Sequence, residues 1–176
     1  MYNFKKITLG LTAFGALASF NAFATDSTQT INVTGYYDGG CSILSTSDLN
    51  FGNLAPLLGT PGAPVTGIGS ITARCEGTLT SATLTSDGGL HKRNDNVRQL
   101  KADNEEGTLI AYHLYKKSNY TDEILPDDPS DVLGDLQNST REMTFYGKIT
   151  PADLNGQTTL SSGLYKDVIT ATLSWE

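Results

Sequence analysis

From Thr28 onward, apolar residues recur mostly at alternate positions, and almost nothing in the chain has helical spacing. That pattern predicts short strands joined by turns. They fall near residues 28–37, 42–52, 68–76, 79–86, 108–117, 141–149 and 165–176, with weaker candidates near 96–101, 130–136 and 157–161. Three of them show which faces are buried. In Thr108–Tyr115 both faces are largely apolar, as in a central strand with little exposure: Leu109, Ala111 and His113 on one, Ile110, Tyr112 and Leu114 on the other. Met143, Phe145, Gly147 and Ile149 share one side of a second strand. Ile169, Ala171, Leu173 and Trp175 share one side of the last, opposite Thr170, Thr172 and Ser174. Asp38–Gly40, Pro61–Pro64, Asp87–Gly89 and Asn155–Gly156 are turn chemistry. Pro151–Asp153 predicts a one-turn helix, and the acidic, Pro-broken stretch 118–131 an exposed loop. Many short strands with regular turns predict an all-β, two-sheet sandwich of the immunoglobulin type.

The two outermost strands carry the functional information. The strand at 28–37 lies outside the span between the two cysteines. Gln29, Ile31, Val33, Gly35 and Tyr37 fall on one face, and Thr30, Asn32, Thr34 and Tyr36 on the other. The unpaired N–H and C=O groups of such a lone strand invite pairing with another chain. Ten residues at ~3.4 Å each span roughly 34 Å, enough to run the length of a sandwich edge. At the opposite end, no strand follows the last one, so one of its edges is expected to be bare. The alternative is an ordinary first strand folding onto its own domain. In a mixed case Tyr36 onward belongs to the body.

Residues 1–24 have the layout of a cleaved secretory signal: Lys5 and Lys6, an apolar core from Ile7 to Phe20, and small residues at Ala22 and Ala24. A membrane anchor is the competing reading, but the apolar run is shorter than the ~20 residues a span needs. No later segment is apolar enough for membrane insertion. The formal charge of −7 becomes −9 once the two leader lysines are removed, since the leader has no carboxylate. Such a surface repels phosphate backbones, so nucleic acid is not an expected partner.

Cys41 and Cys75 are the only cysteines. In an oxidising compartment such a pair most often forms one disulfide. Two free thiols or a metal pair are the alternatives. With the cysteines 34 positions apart, a disulfide would contribute roughly 4 kcal/mol on the chain-entropy model. Catalytic chemistry is not in view. No serine stands in a Gly-x-Ser-x-Gly elbow. His91 and His113 have no recognisable partner, and with two cysteines they do not make a zinc site. Asp122, Glu123, Asp127, Asp128 and Asp131 lack the spacing of a calcium loop. The expectation is a non-enzyme with no cofactor and no metal.

Several motifs recur in a familiar order. Gly39-Gly-Cys41 is followed by Leu49-Asn-Phe-Gly52, Gly69-Ser-Ile-Thr-Ala-Arg-Cys75 and Leu84-Thr-Ser-Asp-Gly-Gly89. Ile110-Ala-Tyr-His-Leu-Tyr115, Phe145-Tyr-Gly-Lys-Ile149 and a terminal Gly163-Leu-Tyr-Lys-Asp167 strand complete the series. Taken together, from about residue 28 to the end, these resemble the spore coat protein U domain shared by pilins of archaic, Csu-type chaperone–usher pili. The resemblance implies an immunoglobulin-like sandwich that lacks its last strand, leaving an apolar groove. It implies a periplasmic pilus chaperone that fills the groove first. An outer-membrane usher then exchanges the chaperone strand for the N-terminal extension of a neighbouring pilin subunit.

On this reading residues 1–24 are a signal peptide, 25–37 a donor-strand extension, and 38–176 the pilin domain. Gln29, Ile31, Val33, Gly35 and Tyr37 would face the groove of the next subunit. Ile169, Ala171, Leu173 and Trp175 would form the edge that receives them, and a Cys41–Cys75 disulfide would hold the body. The expected product is an extracellular fibre, exported through the periplasm and serving adhesion and biofilm growth. A tip adhesin would need a further receptor-binding domain. A surface or spore coat protein assembling without an usher is the main alternative, and a secreted enzyme or ligand carrier lacks a convergent polar pocket.

Overall fold

The computed structural model describes residues 32–35, 37, 39–104 and 107–176. The leader reading, Gln29, Ile31 and Tyr36 lie outside the described residues. The chain divides into two units between Gly35 and Tyr36. In the first, Asn32–Gly35 form no strand, unlike the expectation from alternation, and Val33 is 91% exposed.

The second unit is an all-β domain. Its strands are β1 Gly40–Ser47, β2 Val65–Glu76, β3 Ala82–Ser86, β4 Arg98–Ala102 and β5 Leu109–Tyr115. They continue with β6 Ser130–Asp131, β7 Ser139–Ile149, β8 Tyr165–Lys166 and β9 Ala171–Trp175. One sheet has the order β1-β2-β7-β5-β4-β8 and the other β6-β3-β9. Every pairing between these strands is antiparallel.

Burial follows the side-chain period. Along β2, Val65, Gly67, Gly69, Ile71, Ala73 and Cys75 are all buried, because alternate positions of a strand share one face. β5 lies between β7 and β4 and buries Ile110, Ala111, Tyr112 and Leu114, which explains its two apolar faces. Two core clusters result. One gathers Ile71, Ala73, Cys75, Leu84 and Leu136, with Met143, Phe145, Ala171 and Leu173 only partly covered against it. The other gathers Leu57, Leu100, Ile110, Tyr112, Leu114 and Ile149.

Three expected strands end differently. The stretch 42–52 stops pairing at Ser47, and Leu49–Gly52 instead turn onto the inner face of the larger sheet. The turn is made by the Asn50 side chain, which accepts the Gly52 N–H at 2.7 Å, with Gly52 at a φ of 67°. Glycines make room for it. A Cβ on Gly67 would lie 2.6 Å from the Asn50 carbonyl oxygen, and one on Gly69 3.0 Å from Leu49 Cβ. On Gly147, paired across from Gly67, a Cβ would lie 2.8 Å from Leu49 Cδ2 and from Phe51 Cζ.

The last strand also divides. Tyr165–Lys166 pairs with β4 in one sheet and Ala171–Trp175 with β3 in the other, so Asp167–Thr170 cross between sheets. In that crossing the Thr170 N–H donates to Asp87 Oδ1 at 2.9 Å instead of joining a continuous ladder. The weak candidate at 130–136 becomes the two residues of β6 and a helical turn, α1 Leu133–Leu136, opened by the Asp131 carboxylate accepting the Leu133 N–H. Residues 157–161 form no strand. The 3-10 turn Pro151–Leu154 carries a Thr150–Asp153 capping box.

Candidate functional site

The two sheets leave one side open. Among the described residues no strand pairs with the outer side of β1 or of β9. These edges approach at one end, where a Cβ on Gly40 would sit 3.5 Å from the Trp175 indole nitrogen. Farther along, a cleft of about 1510 Å³ separates the sheets. Ile71, Met143 and Phe145 form its floor, and Ile43, Leu84 and Ala171 its flanks. The floor is apolar and half-covered, and the rims are backbone. Such a site suits an extended strand, which needs ladder partners along its length and pockets for alternate side chains.

The candidate residues are placed as follows. Cys41 and Cys75 face each other across the β1–β2 ladder and form a disulfide. Ile169 and Ala171 line the cleft, and Leu173 packs half-buried against the first core cluster. Trp175 is 44% exposed beside Gly40, at the end where the edges meet. Tyr37 is exposed and belongs to the second unit, with its ring near Gly77.

A buried polar knot holds the crossing of the last strand. The Arg98 guanidinium is nearly inaccessible. Its Nε donates to the Asp87 carbonyl at 2.9 Å, Nη1 to the Ile124 carbonyl, and Nη2 to the Ser86 carbonyl and hydroxyl. Burial lowers its pKa from the ordinary arginine value, against the pull of Tyr112 and nearby carboxylates. The Tyr112 hydroxyl donates to Asp167 Oδ2 at 2.7 Å, and Leu90 N–H to Asp167 Oδ1 at 2.9 Å. Burial first, and then that carboxylate, push the phenol well above its usual range. Burial opposes ionisation of Asp87, but N–H groups of Thr170 and Gly89 outweigh it and hold the carboxyl below its usual range. The sequence carries part of this signal in Asp87-Gly-Gly89 and Gly163-x-Tyr-x-Asp167 but does not pair them. Gly89, at a φ of 77°, is fixed here because a Cβ would overlap the Asp167 carboxylate.

His113 does have partners, contrary to the sequence reading. Its Nδ1 lies 2.6 Å from Glu123 Oε1 and its Nε2 3.3 Å from Asp153 Oδ1. The better-buried Asp153 acts more strongly than the nearer, more exposed Glu123, and together they push His113 up to about 9 against burial. As an imidazolium it donates at both nitrogens and clamps the acidic loop and the Pro151 turn onto β5. A folded pKa above the unfolded 6.5 means this clamp stabilises fully below pH 6.5, while the carboxylates are ionised, and is lost as pH rises through about 9. The contribution is at most a few kcal/mol, reduced by the 29% exposure of His113. The melting temperature is therefore expected to fall between pH 6.5 and 9, and His113→Asn to flatten that slope. An equal slope in the variant would contradict the clamp.

Among the described residues no group of three or more His, Cys, Asp or Glu side chains could hold a metal ion, and no helix is long and apolar enough to cross a membrane. Fold and cleft thus define a class: an all-β domain with an open, incomplete immunoglobulin-like sandwich. The chain belongs to the Spore Coat Protein U domain family, whose pattern matches residues 27–172. No curated protein sequence matches it.

Among solved structures it is similar to a chaperone–tip adhesion subunit pre-assembly complex from the archaic chaperone–usher Csu pili of Acinetobacter baumannii. The identity is 21%, the TM-score 0.50, and the match covers 77% of this chain and 39% of that one. The chain therefore spans about two-fifths of that chain's length. A chaperone–tip adhesin complex of CFA/I fimbriae biogenesis aligns at 12% identity and TM-score 0.44, over 74% of this chain and 38% of that one. A chaperone–usher pilus structure concerned with rod uncoiling aligns at 12% identity and TM-score 0.47, over 86% and 96%.

Proposed function

We propose that this protein is a structural pilin subunit that polymerises by donor-strand exchange into an extracellular chaperone–usher pilus serving adhesion and biofilm formation. The observation that carries this reading is the cleft between two bare strand edges, in a chain of the Spore Coat Protein U family whose Asn32–Gly35 form no strand. The donor is the segment ahead of Tyr36, with Gln29, Ile31, Val33 and Gly35 turned toward a neighbour's cleft, while Tyr37 stays with its own unit beside Gly77. The acceptor edge is the run Ile169, Ala171, Leu173 and Trp175. A periplasmic chaperone would cover the cleft before assembly, and an outer-membrane usher would mediate the exchange.

The test is periplasmic expression of the whole chain with and without a pilus chaperone. With the chaperone and usher, SDS-resistant, heat-labile multimers are expected. Without the chaperone, subunit yield should fall severalfold. Equal yield of a stable monomer in both cases would favour a coat protein that assembles without an usher.

A further inference from the structure

The last strand changes sheets between Lys166 and Ala171, yet its alternation does not break there. Tyr165, Asp167, Ile169, Ala171 and Leu173 are half-buried, and Leu164, Lys166, Val168, Thr170, Thr172 and Ser174 are exposed. The backbone keeps the same parity. Leu164, Thr170 and Glu176 all bond inward, toward the strands already beside them. The Glu176 N–H donates to the Ser81 carbonyl at 3.2 Å, and the Glu176 carbonyl accepts the Ser81 N–H at 3.3 Å, as in an ordinary antiparallel pair. At the other two positions a carboxylate stands in for a ladder carbonyl. The Asp87 N–H donates to the Thr170 carbonyl at 3.0 Å. The Asp87 carbonyl is taken by Arg98 Nε, so the Thr170 N–H goes to Asp87 Oδ1. Likewise the Asp103 N–H donates to the Leu164 carbonyl at 2.9 Å, and the Leu164 N–H to Asp103 Oδ1 at 3.2 Å. Successive residues of a strand direct their N–H and C=O groups to opposite sides. With even-numbered positions bonded inward, the odd-numbered ones from Tyr165 to Trp175 face the outer side of β8 and β9. No strand among the described residues pairs with that side.

We infer that Asp87 and Asp103 are positioning residues that make the last strand one unbroken acceptor edge, so that a donor pairs with it on both sides of the crossing. This rests on the donor-strand reading, and the occupant is the segment ahead of Tyr36 of a second copy. Its reach fits: the run from Tyr165 to Trp175 spans roughly 37 Å at ~3.4 Å per residue, and residues 25–35, fully extended, span the same. Without the two carboxylates, the N–H groups of Thr170 and Leu164 lose their inward partners. The strand is then free to turn out of line where the sheets part.

The test uses the whole chain carrying Ile31→Asp and Val33→Asp, which cannot donate, released from its chaperone by a synthetic peptide of residues 26–38. Amide hydrogen exchange is read residue by residue with the peptide bound. The Ile169 amide, inside the crossing, is expected to be protected to within tenfold of the Leu173 amide in β9. In Asp87→Ala the protection of Ile169 should fall at least tenfold while that of Leu173 changes less than threefold. Asp87→Asn keeps the accepting oxygen and should restore it. An Ile169 amide exchanging freely beside a protected Leu173 in the unaltered body would show an edge broken at the crossing. Equal losses at both amides in Asp87→Ala, or an asparagine no better than alanine, would leave Asp87 a role in stability alone. Each of these results overturns the inference and leaves donor-strand binding intact. Asp103 is 45% exposed, so Asp103→Ala decides the matter should Asp87→Ala fail to fold. Tyr165 should then lose protection tenfold and Leu173 should not, and absence of that loss overturns the inference. Failure of the peptide to bind at all would remove the donor reading and this one with it.

Discussion

Ile31→Asp combined with Val33→Asp is expected to leave the subunit able to fold on its chaperone and to abolish fibre growth. Both positions precede the second unit, which begins at Tyr36, and Val33 is exposed. In a neighbour's cleft the two aliphatic side chains would contribute on the order of 1.5–3 kcal/mol each. Aspartate loses that burial and places a carboxylate over the apolar side chains of Ile71, Met143 and Phe145. Desolvating each carboxylate costs several kcal/mol more, so the swing over both sites is about 10 kcal/mol, far beyond what the backbone ladder recovers. Electron microscopy of sheared surface material and the yield of chaperone-bound subunit measure the two halves of this expectation. Normal fibres from the double variant would remove the donor role from residues 28–35.

Removing the disulfide by Cys41→Ser with Cys75→Ser should be the most damaging change within the body. β1 is an edge strand, tied on one side to β2 and open to the cleft on the other. Its burial is slight beyond Cys41: every residue from Ser42 to Ser47 is exposed, and the ladder is interrupted by a bulge between Ile43 and Ser45. Few apolar contacts therefore hold it. The disulfide pins this strand at its start, directly opposite a fully buried Cys75. Loop closure over 34 positions is worth roughly 4 kcal/mol, and a serine at position 75 adds a hydroxyl to an apolar cluster. A fall in melting temperature of about 10–15 °C follows for a body of this size. Faster amide exchange along Ser42–Ser47 should accompany it, since the cleft wall loosens with the strand. Unchanged melting and exchange would show that β1 is held by its ladder alone.

The sandwich was legible because burial on one face leaves a period of two, which β2 keeps along its whole length, while β5 shows the two apolar faces of a central strand. What alternation could not reveal is where a strand changes partners. Ile169, Ala171 and Leu173 continue one pattern through the crossing at Asp167–Thr170, although the residues on either side belong to different sheets. Nor could it separate Leu49 and Phe51 from a strand. Their side chains alternate correctly, and the reason they leave the ladder lies in three glycines distant in sequence. The clamp on His113 was hidden by distance too, since Glu123 sits in a loop read as merely solvated and Asp153 inside a turn. Local pattern reports which face is covered, and only the assembled chain reports what covers it.

The crossing of the last strand has a mechanical meaning for a filament built as proposed. A donor lying against β9 would pull on a strand anchored at one end to β3 and at the other, through Lys166 and Tyr165, to β4. Tension along the filament axis would then reach both sheets at once. Arg98, Asp87 and Asp167 sit where those two load paths divide.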